Sequence, residues 1–209
     1  TASDSGAVVL AWHRSSTPLG AAVDEILVAS LDPATGERGE PLVVAAQETP
    51  FAPAVAIATD GTAVALWGDD AGIRGRYLAP GAAAMSETFR PDTSPVELSS
   101  RPAVVADPAG GFIAFFLSGG GIVGTRLEPR PSAGSIRLLD AHLTVSERQA
   151  EVYVELLRSG GGEGDVEVHA VLRPVNAVAG VDYDPAVAPV AFAAGECEPQ
   201  IARVRLLPD

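Results

Sequence analysis

The chain repeats itself, and that repeat limits its possible folds more than any other feature of the 209 residues. The segment Ile26-Leu27-Val28-Ala29-Ser30-Leu31-Asp32-Pro33 returns as Ile73-Arg74-Gly75-Arg76-Tyr77-Leu78-Ala79-Pro80, and again as Ile122-Val123-Gly124-Thr125-Arg126-Leu127-Glu128-Pro129. The steps are 47 and 49 residues. Pro53-Ala54-Val55-Ala56 matches Pro102-Ala103-Val104-Val105, and Gly61…Trp67 matches Gly110…Phe116, both 49 apart. An earlier Gly6…Trp12 opens the series. A fixed period of this length marks an array of supersecondary units that bury their apolar faces against one another.

Each period holds short apolar runs separated by turn residues. In the middle copy the expected strands are Ala54–Ala58, Ala63–Trp67, Ile73–Leu78 and Val96–Leu98. Asp60-Gly61 and Ala109-Gly110-Gly111 lie where hairpin turns are needed, because glycine accepts the positive φ of those turns. Four antiparallel strands per repeat of roughly 40–50 residues is the pattern of a β-propeller blade. The repeat resembles, loosely, blade-like units of large bacterial surface proteins. The first copy lacks its leading strand, and the third stops after three strands at Leu127. About two and a half blades leave edges unpaired, so the expectation is the tail of a larger array. An open β-sandwich built from the same hairpins is the alternative.

Residues 1–128 thus form the repeat region, and Pro129-Arg130-Pro131-Ser132-Ala133-Gly134 reads as a linker, since its prolines disfavour helix and remove ladder donors. The 49-residue step does not continue beyond it. From Ser135 to Asp209 a second module alternates: Val152, Val154 and Leu156 on one face, Glu151, Tyr153 and Glu155 on the other. Ser159-Gly160-Gly161-Gly162-Glu163-Gly164 reads as a turn, with Val166, Val168, Ala170 and Leu172 as the return strand. Ile201, Val204 and Leu206, with Arg203 and Arg205 between, form the last strand. The fold class expected is all-β: propeller-like repeats followed by an immunoglobulin-like sandwich.

Five landmarks of the second module occur in a recognisable order. They are Val145-Ser146-Glu147, Arg158-Ser159-Gly160-Gly161, Ala179-Gly180-Val181-Asp182-Tyr183, Phe192-Ala193-Ala194-Gly195-Glu196, and a strand running into Asp209. This succession resembles the Calx-beta domain, a β-sandwich of sodium–calcium exchangers, integrin β4 and many bacterial surface proteins. The resemblance covers about 70 residues. It implies calcium binding at one end of the sandwich, with Glu147, Asp182 and Asp209 as the matching ligands. Calcium takes six to eight oxygens, so three carboxylates need help from elsewhere. The family's terminal run of consecutive Asp residues is replaced here by Pro208-Asp209, and the segment that supplies its remaining ligands is not present. The alternative reading has Asp182 closing its own loop and Glu147 as a solvated strand residue.

Charge and inventory narrow the function. The net charge is −13, and all 14 basic residues are arginine. An acidic surface disfavours nucleic acid and anionic lipid, and no apolar run reaches the roughly 18 residues of a membrane span. Cys197 is the single cysteine, which excludes an internal disulfide and a cysteine-based zinc site. His13, His142 and His169 have no partner at metal-ligand spacing, and Asp69-Asp70 reads as a solvated turn. No nucleophile elbow, phosphate loop or dinucleotide fingerprint occurs. A start at Thr1 rather than Met suggests a longer parent chain.

The expectation is a non-catalytic structural and interaction module of a secreted or cell-surface bacterial protein, with an adhesion or communication role. Its partners would be neighbouring domains of the parent, other surface proteins or glycans, and its ion calcium. The rival is an accessory fragment of a secreted carbohydrate-active enzyme with a propeller catalytic domain.

Overall fold

Alternating β-branched and aromatic residues between glycine turns fold as short antiparallel hairpins. The computed structural model describes residues 1, 6–16, 23–47, 50–82, 84–91, 101–146 and 148–207. Among them the chain is all-β, in five small sheets, none of them closed. The first three sheets are the repeats. Strands β1 (Val8–Ser16), β2 (Val23–Leu31) and β3 (Leu42–Gln47) make the first. Strands β4 (Phe51–Ile57), β5 (Ala63–Asp69) and β6 (Gly72–Leu78) make the second. Strands β7 (Ala103–Ala106), β8 (Phe112–Ser118) and β9 (Gly121–Leu127) make the third.

The sequence repeat is also a repeat of hydrogen bonds. At the β4–β5 turn Ala58 N donates to Thr62 O (2.8 Å) and Gly61 N to Ala58 O (3.0 Å); at the β7–β8 turn Asp107 N donates to Gly111 O (3.0 Å) and Gly110 N to Asp107 O (2.9 Å). Gly61 and Gly110 sit at φ 85° and 98°, where a side chain would be strained. In the first copy Thr1 exchanges two bonds with Val9, the place Ala56 holds beside Val64.

In the first two repeats the segment that follows the hairpin lies along its last strand in matching places. Leu31 bridges Arg38 and Val28 pairs with Leu42; 47 residues on, Leu78 bridges Met85 and Gly75 bridges Phe89. The segment 85–89 therefore occupies the edge of β6 that Val96–Leu98 was expected to take, and 96–98 lie outside the described residues. Phe89 decides this packing: its ring fits against Gly75, whose missing Cβ would stand 2.7 Å from it, and stacks on Tyr77 at 5.0 Å.

The three sheets stack face on face. Val9, Ile26, Val28 and Val44 of the first pack on Ile57, Ala63, Ala65, Trp67 and Leu78 of the second. The opposite face of the second sheet, Ala56, Val64, Leu66, Ile73 and Tyr77, packs on Phe112, Ala114, Phe116 and Leu127 of the third. The middle sheet is thus buried on both sides, and β5 is buried along its whole length.

The second module comprises β10 (Ser135–Leu138), β11 (Glu151–Ser159) and β14 (Gln200–Arg205) in one sheet, and β12 (Val166–Val168) with β13 (Val190–Phe192) in the other. Leu156, Val190, Phe192 and Ala202 form the core between them. Two sequence expectations are corrected. The glycine turn after Ser159 is not a hairpin: it carries the chain from one sheet to the other, and the strand beyond it is only Val166–Val168. The last strand is also phased differently. Ala202 and Val204 face the core while Ile201 is 46% exposed beside Arg203 and Arg205, because β14 must match the register of β11, where Val154 opposes Ala202 and Val152 opposes Val204.

Candidate functional site

Among the described residues, polar groups gather at the open end of the sandwich and at the junction of the two modules.

At the sandwich end, Asp182 belongs to a loop that closes on itself. Its Oδ2 accepts from Val178 N (2.6 Å), and its own N donates back to Val178 O (2.9 Å). Gly180, at φ 79°, donates to Tyr183 O (2.8 Å), and Leu207 N donates to Asp182 O (2.9 Å). Tyr183 is buried and bridges to Leu206, which fastens the loop to the end of β14. The loop forms one wall of a cleft of about 780 Å³, whose other lining residues include Val145, Arg148, Arg173, Val204 and Leu206. Glu147 and Asp209, the other two expected calcium ligands, lie outside the described residues. What the described residues place here is one carboxylate, already accepting a backbone N–H, beside two guanidinium groups. Those residues do not fit calcium by themselves, and among the described residues no group of three or more His, Cys, Asp or Glu is arranged to hold a metal.

The junction is built on the outer edge of the middle sheet. Asp69 ends β5, and its Oδ1 accepts from Ala71 N (2.8 Å), as a turn carboxylate does. Its Oδ2 accepts from Arg74 Nε (3.1 Å) with both side chains buried, so the expected solvated turn is instead half of a buried ion pair. Arg74 then reaches across: Nη2 bonds Glu198 of the second module and Nη1 donates to Cys197 O (3.4 Å). Burial pulls the Arg74 guanidinium down, and Asp69, Glu198 and the Cys197 side chain together outweigh it, for a net rise.

Backbone contacts complete the junction. Gly160 N donates to Arg90 O (2.7 Å), and Glu87 N to Glu163 Oε1 (2.9 Å). Gly162 lies so close to Thr88 O that a Cβ would collide with it. The Cys197 thiol is buried between Thr88 O (3.4 Å) and Gly195 O (3.2 Å); burial pushes it up and Arg74 pulls it partly back. Arg90 is buried beside this cluster, donating through Nη2 to Ala71 O (3.3 Å), and burial and then Arg74 lower its pKa. On the second module's side Arg158 is buried and fully engaged, donating to Ala133 O (2.8 Å), Ala193 O (3.0 Å) and Glu163 O (2.8 Å). Residues 132 and 133 are therefore tied to the second module, since Glu163 N also donates to Ser132 O (3.0 Å).

Sequence reading singled out neither Arg74 nor Arg90, and took Arg158 only as a landmark. The available signal was an arginine at an inward position of a strand in a lysine-free chain. A planar five-donor group can satisfy several carbonyls at once, which a point-charge ammonium does less well. No family model matches the chain, and no curated protein matches it. The likeness to Calx-beta therefore stands on its landmark residues.

Proposed function

We propose that this chain is a structural and interaction module of an extracellular or cell-surface protein, in which a blade-like repeat stack presents a Calx-beta-like sandwich at a set angle. The observation that carries the reading is the junction. Arg74 is bonded on one side to Asp69 and on the other to Glu198 and Cys197, while Gly160, Glu87 and Gly162 bring the two backbones together. Domains joined by a short polar interface move relative to one another by default. Here a buried arginine is shared between Asp69 of its own sheet and Glu198 and Cys197 of the second module. Gly160 N and Glu87 N add hydrogen bonds across, and all of these contacts resist that motion. A module of this kind transmits position between neighbours in a larger assembly, and no step of bond chemistry is assigned to it. Calcium is not needed for this role.

The test is a distance measurement. Spin labels placed at Thr35 in the first repeat and at Val171 in the second module, in a chain with Cys197 replaced by Ser, should give one narrow distance distribution. A broad distribution would sink the proposal. An assay of the chain against a polysaccharide panel separates it from the carbohydrate-active alternative, where turnover would be decisive.

A further inference from the structure

In the first two repeats the strand that ends the hairpin, β2 or β6, is covered along its outer edge by the chain that follows it. Gly75 and Phe89 exchange two backbone bonds of 2.9 Å, and Ser86 N donates to Tyr77 O (2.9 Å). In the third repeat the residues 49 on from 85–89 are 134–138. They do not return to β9: Ser135–Leu138 form β10 and pair with β11 of the second module. β9 is left as the end strand of its sheet.

The register fixes which backbone groups that edge presents. The two-residue turn Gly119-Gly120 closes β8 on β9 at Ser118–Gly121, as Asp70-Ala71 closes β5 on β6 at Asp69–Gly72. From the closing pair onward, antiparallel pairs alternate between hydrogen-bonded and open. The N–H and C=O of Ile122, Gly124 and Arg126 therefore point away from β8, as those of Gly75 and Tyr77 point away from β5. Among the described residues no hydrogen bond from beyond the hairpin reaches the backbone of Gly124. The devices that usually blunt an edge are missing. β9 has no proline and no bulge, and its single charged residue, Arg126, is turned back to Asp107 (2.9 Å) and Gly110 O (3.2 Å). Ile122 is 76% exposed on it, and Phe115 beside it 37%.

The geometry points to an extended segment of a partner polypeptide as the occupant, added as a strand antiparallel to β9 with an aromatic residue seated over Gly124. The second repeat shows the arrangement. There the Phe89 ring rests on Gly75, whose Cβ would stand 2.7 Å from it. Gly124 is again a glycine, opposite Phe115, whose ring lies 3.1 Å from the place a Cβ would take. An incoming ring meets that bare backbone and the exposed side of Phe115. Main-chain bonds supply the affinity, and the seat at Gly124 supplies the preference for an aromatic side chain. A groove of about 630 Å³, lined by Thr125 and Arg126 of β9 and by Pro91, Ser135 and Ser159, leaves room for added backbone. This inference is separate from the module junction: its failure would leave the Arg74 contacts and the narrow label distance untouched.

The probe is a fluorescent synthetic peptide of residues 84–91, the chain's own occupant of the matching edge, titrated with the full 209-residue chain. A saturable rise in anisotropy is expected. Phe89→Ala in the peptide should weaken binding about tenfold, the worth of a good aromatic contact. Gly124→Pro in the chain removes an outward donor and leaves the β8 ladder intact, so circular dichroism should be unchanged and binding lost. Hydrogen exchange locates the contact: the Gly124 amide should exchange quickly in the free chain, unlike that of Gly75, and slow when peptide is added. Three results would overturn the proposal: no saturable binding, binding indifferent to Gly124→Pro, or a Gly124 amide already as protected as Gly75. A free chain that sediments as a dimer, and as a monomer once Gly124→Pro is made, would give the edge to a second copy and overturn it as well.

Discussion

Arg74 and Glu198, 124 residues apart in the chain, form an ion pair that joins the second repeat to the second module. Its two partners are not equally buried. Arg74 and Asp69 are nearly inaccessible, while Glu198 is 55% exposed. The buried half therefore holds the energy and the exposed half the address. Arg74→Ala strands Asp69 as an unpaired buried carboxylate and should destabilise the chain by about 3–5 kcal/mol. Glu198→Gln should cost less than about 1 kcal/mol. Urea unfolding of both variants and of the double mutant reads the difference directly.

Gly162 of the second module packs against Thr88, where a Cβ would stand 2.1 Å from the Thr88 carbonyl oxygen. Gly162→Ala forces a methyl group against a backbone carbonyl, which cannot move without shifting the segment 85–89. A cost of about 1–3 kcal/mol is expected, as for other overpacked sites. The buried thiol of Cys197 supplies the readout, since it lies in the same contact. Alkylation by iodoacetamide should be slow in the parent chain and faster in Gly162→Ala.

Phe89 tests the packing of the segment 85–89 on β6. It is fully buried on Tyr77, Leu66 and Gly75, although its segment is held to β6 only by isolated bridges. Phe89→Ala should lose about 3–5 kcal/mol, the usual range for a buried aromatic. Thermal unfolding followed by calorimetry would show it, and a variant as stable as the parent would remove 85–89 from the core.

Asp32 gives a pH prediction with a definite sign. Its Oδ1 accepts from Ala34 N (2.8 Å) and Thr35 N (3.4 Å), and these backbone donors hold the carboxyl below its ordinary value of 3.8. A carboxyl depressed in the folded state stabilises the turn above its unfolded pKa, and that contribution fades as pH falls through the folded one. Carbon-13 NMR titration should place Asp32 below the usual carboxylate range, and Ala34→Pro, which removes the stronger donor, should return it toward that range.

Calcium titration calorimetry examines the Asp182 end. With one carboxylate described there, and that one accepting from Val178 N, no saturable heat is expected for this chain. Saturable heat that disappears in Asp182→Asn would instead mean that Glu147 and Asp209 complete a site with it.

Much of the repeat architecture was legible without coordinates, because its causes are local. Gly61 and Gly110 mark turns that demand positive φ, and the apolar runs on either side of them pair as hairpins. The Asp182 loop was legible as a loop for the same reason. Its chemistry was not: the lining of that cleft by Arg148 and Arg173 comes from segments brought together only by folding.

What the sequence alone determined, then, is the all-β class and the recurrence of its hairpin turns, since each rests on neighbours along the chain. The tertiary structure alone decided that 85–89 lies on β6, and that β14 turns Ala202 inward and Ile201 outward. It alone decided that Arg74 reaches across to the second module, with Arg90 and Arg158 buried and bonded on either side of that contact. Such pairings join residues tens to more than a hundred positions apart. An arginine's partner at that distance leaves no periodicity behind, and only the packed chain reveals which carbonyl or carboxylate it meets.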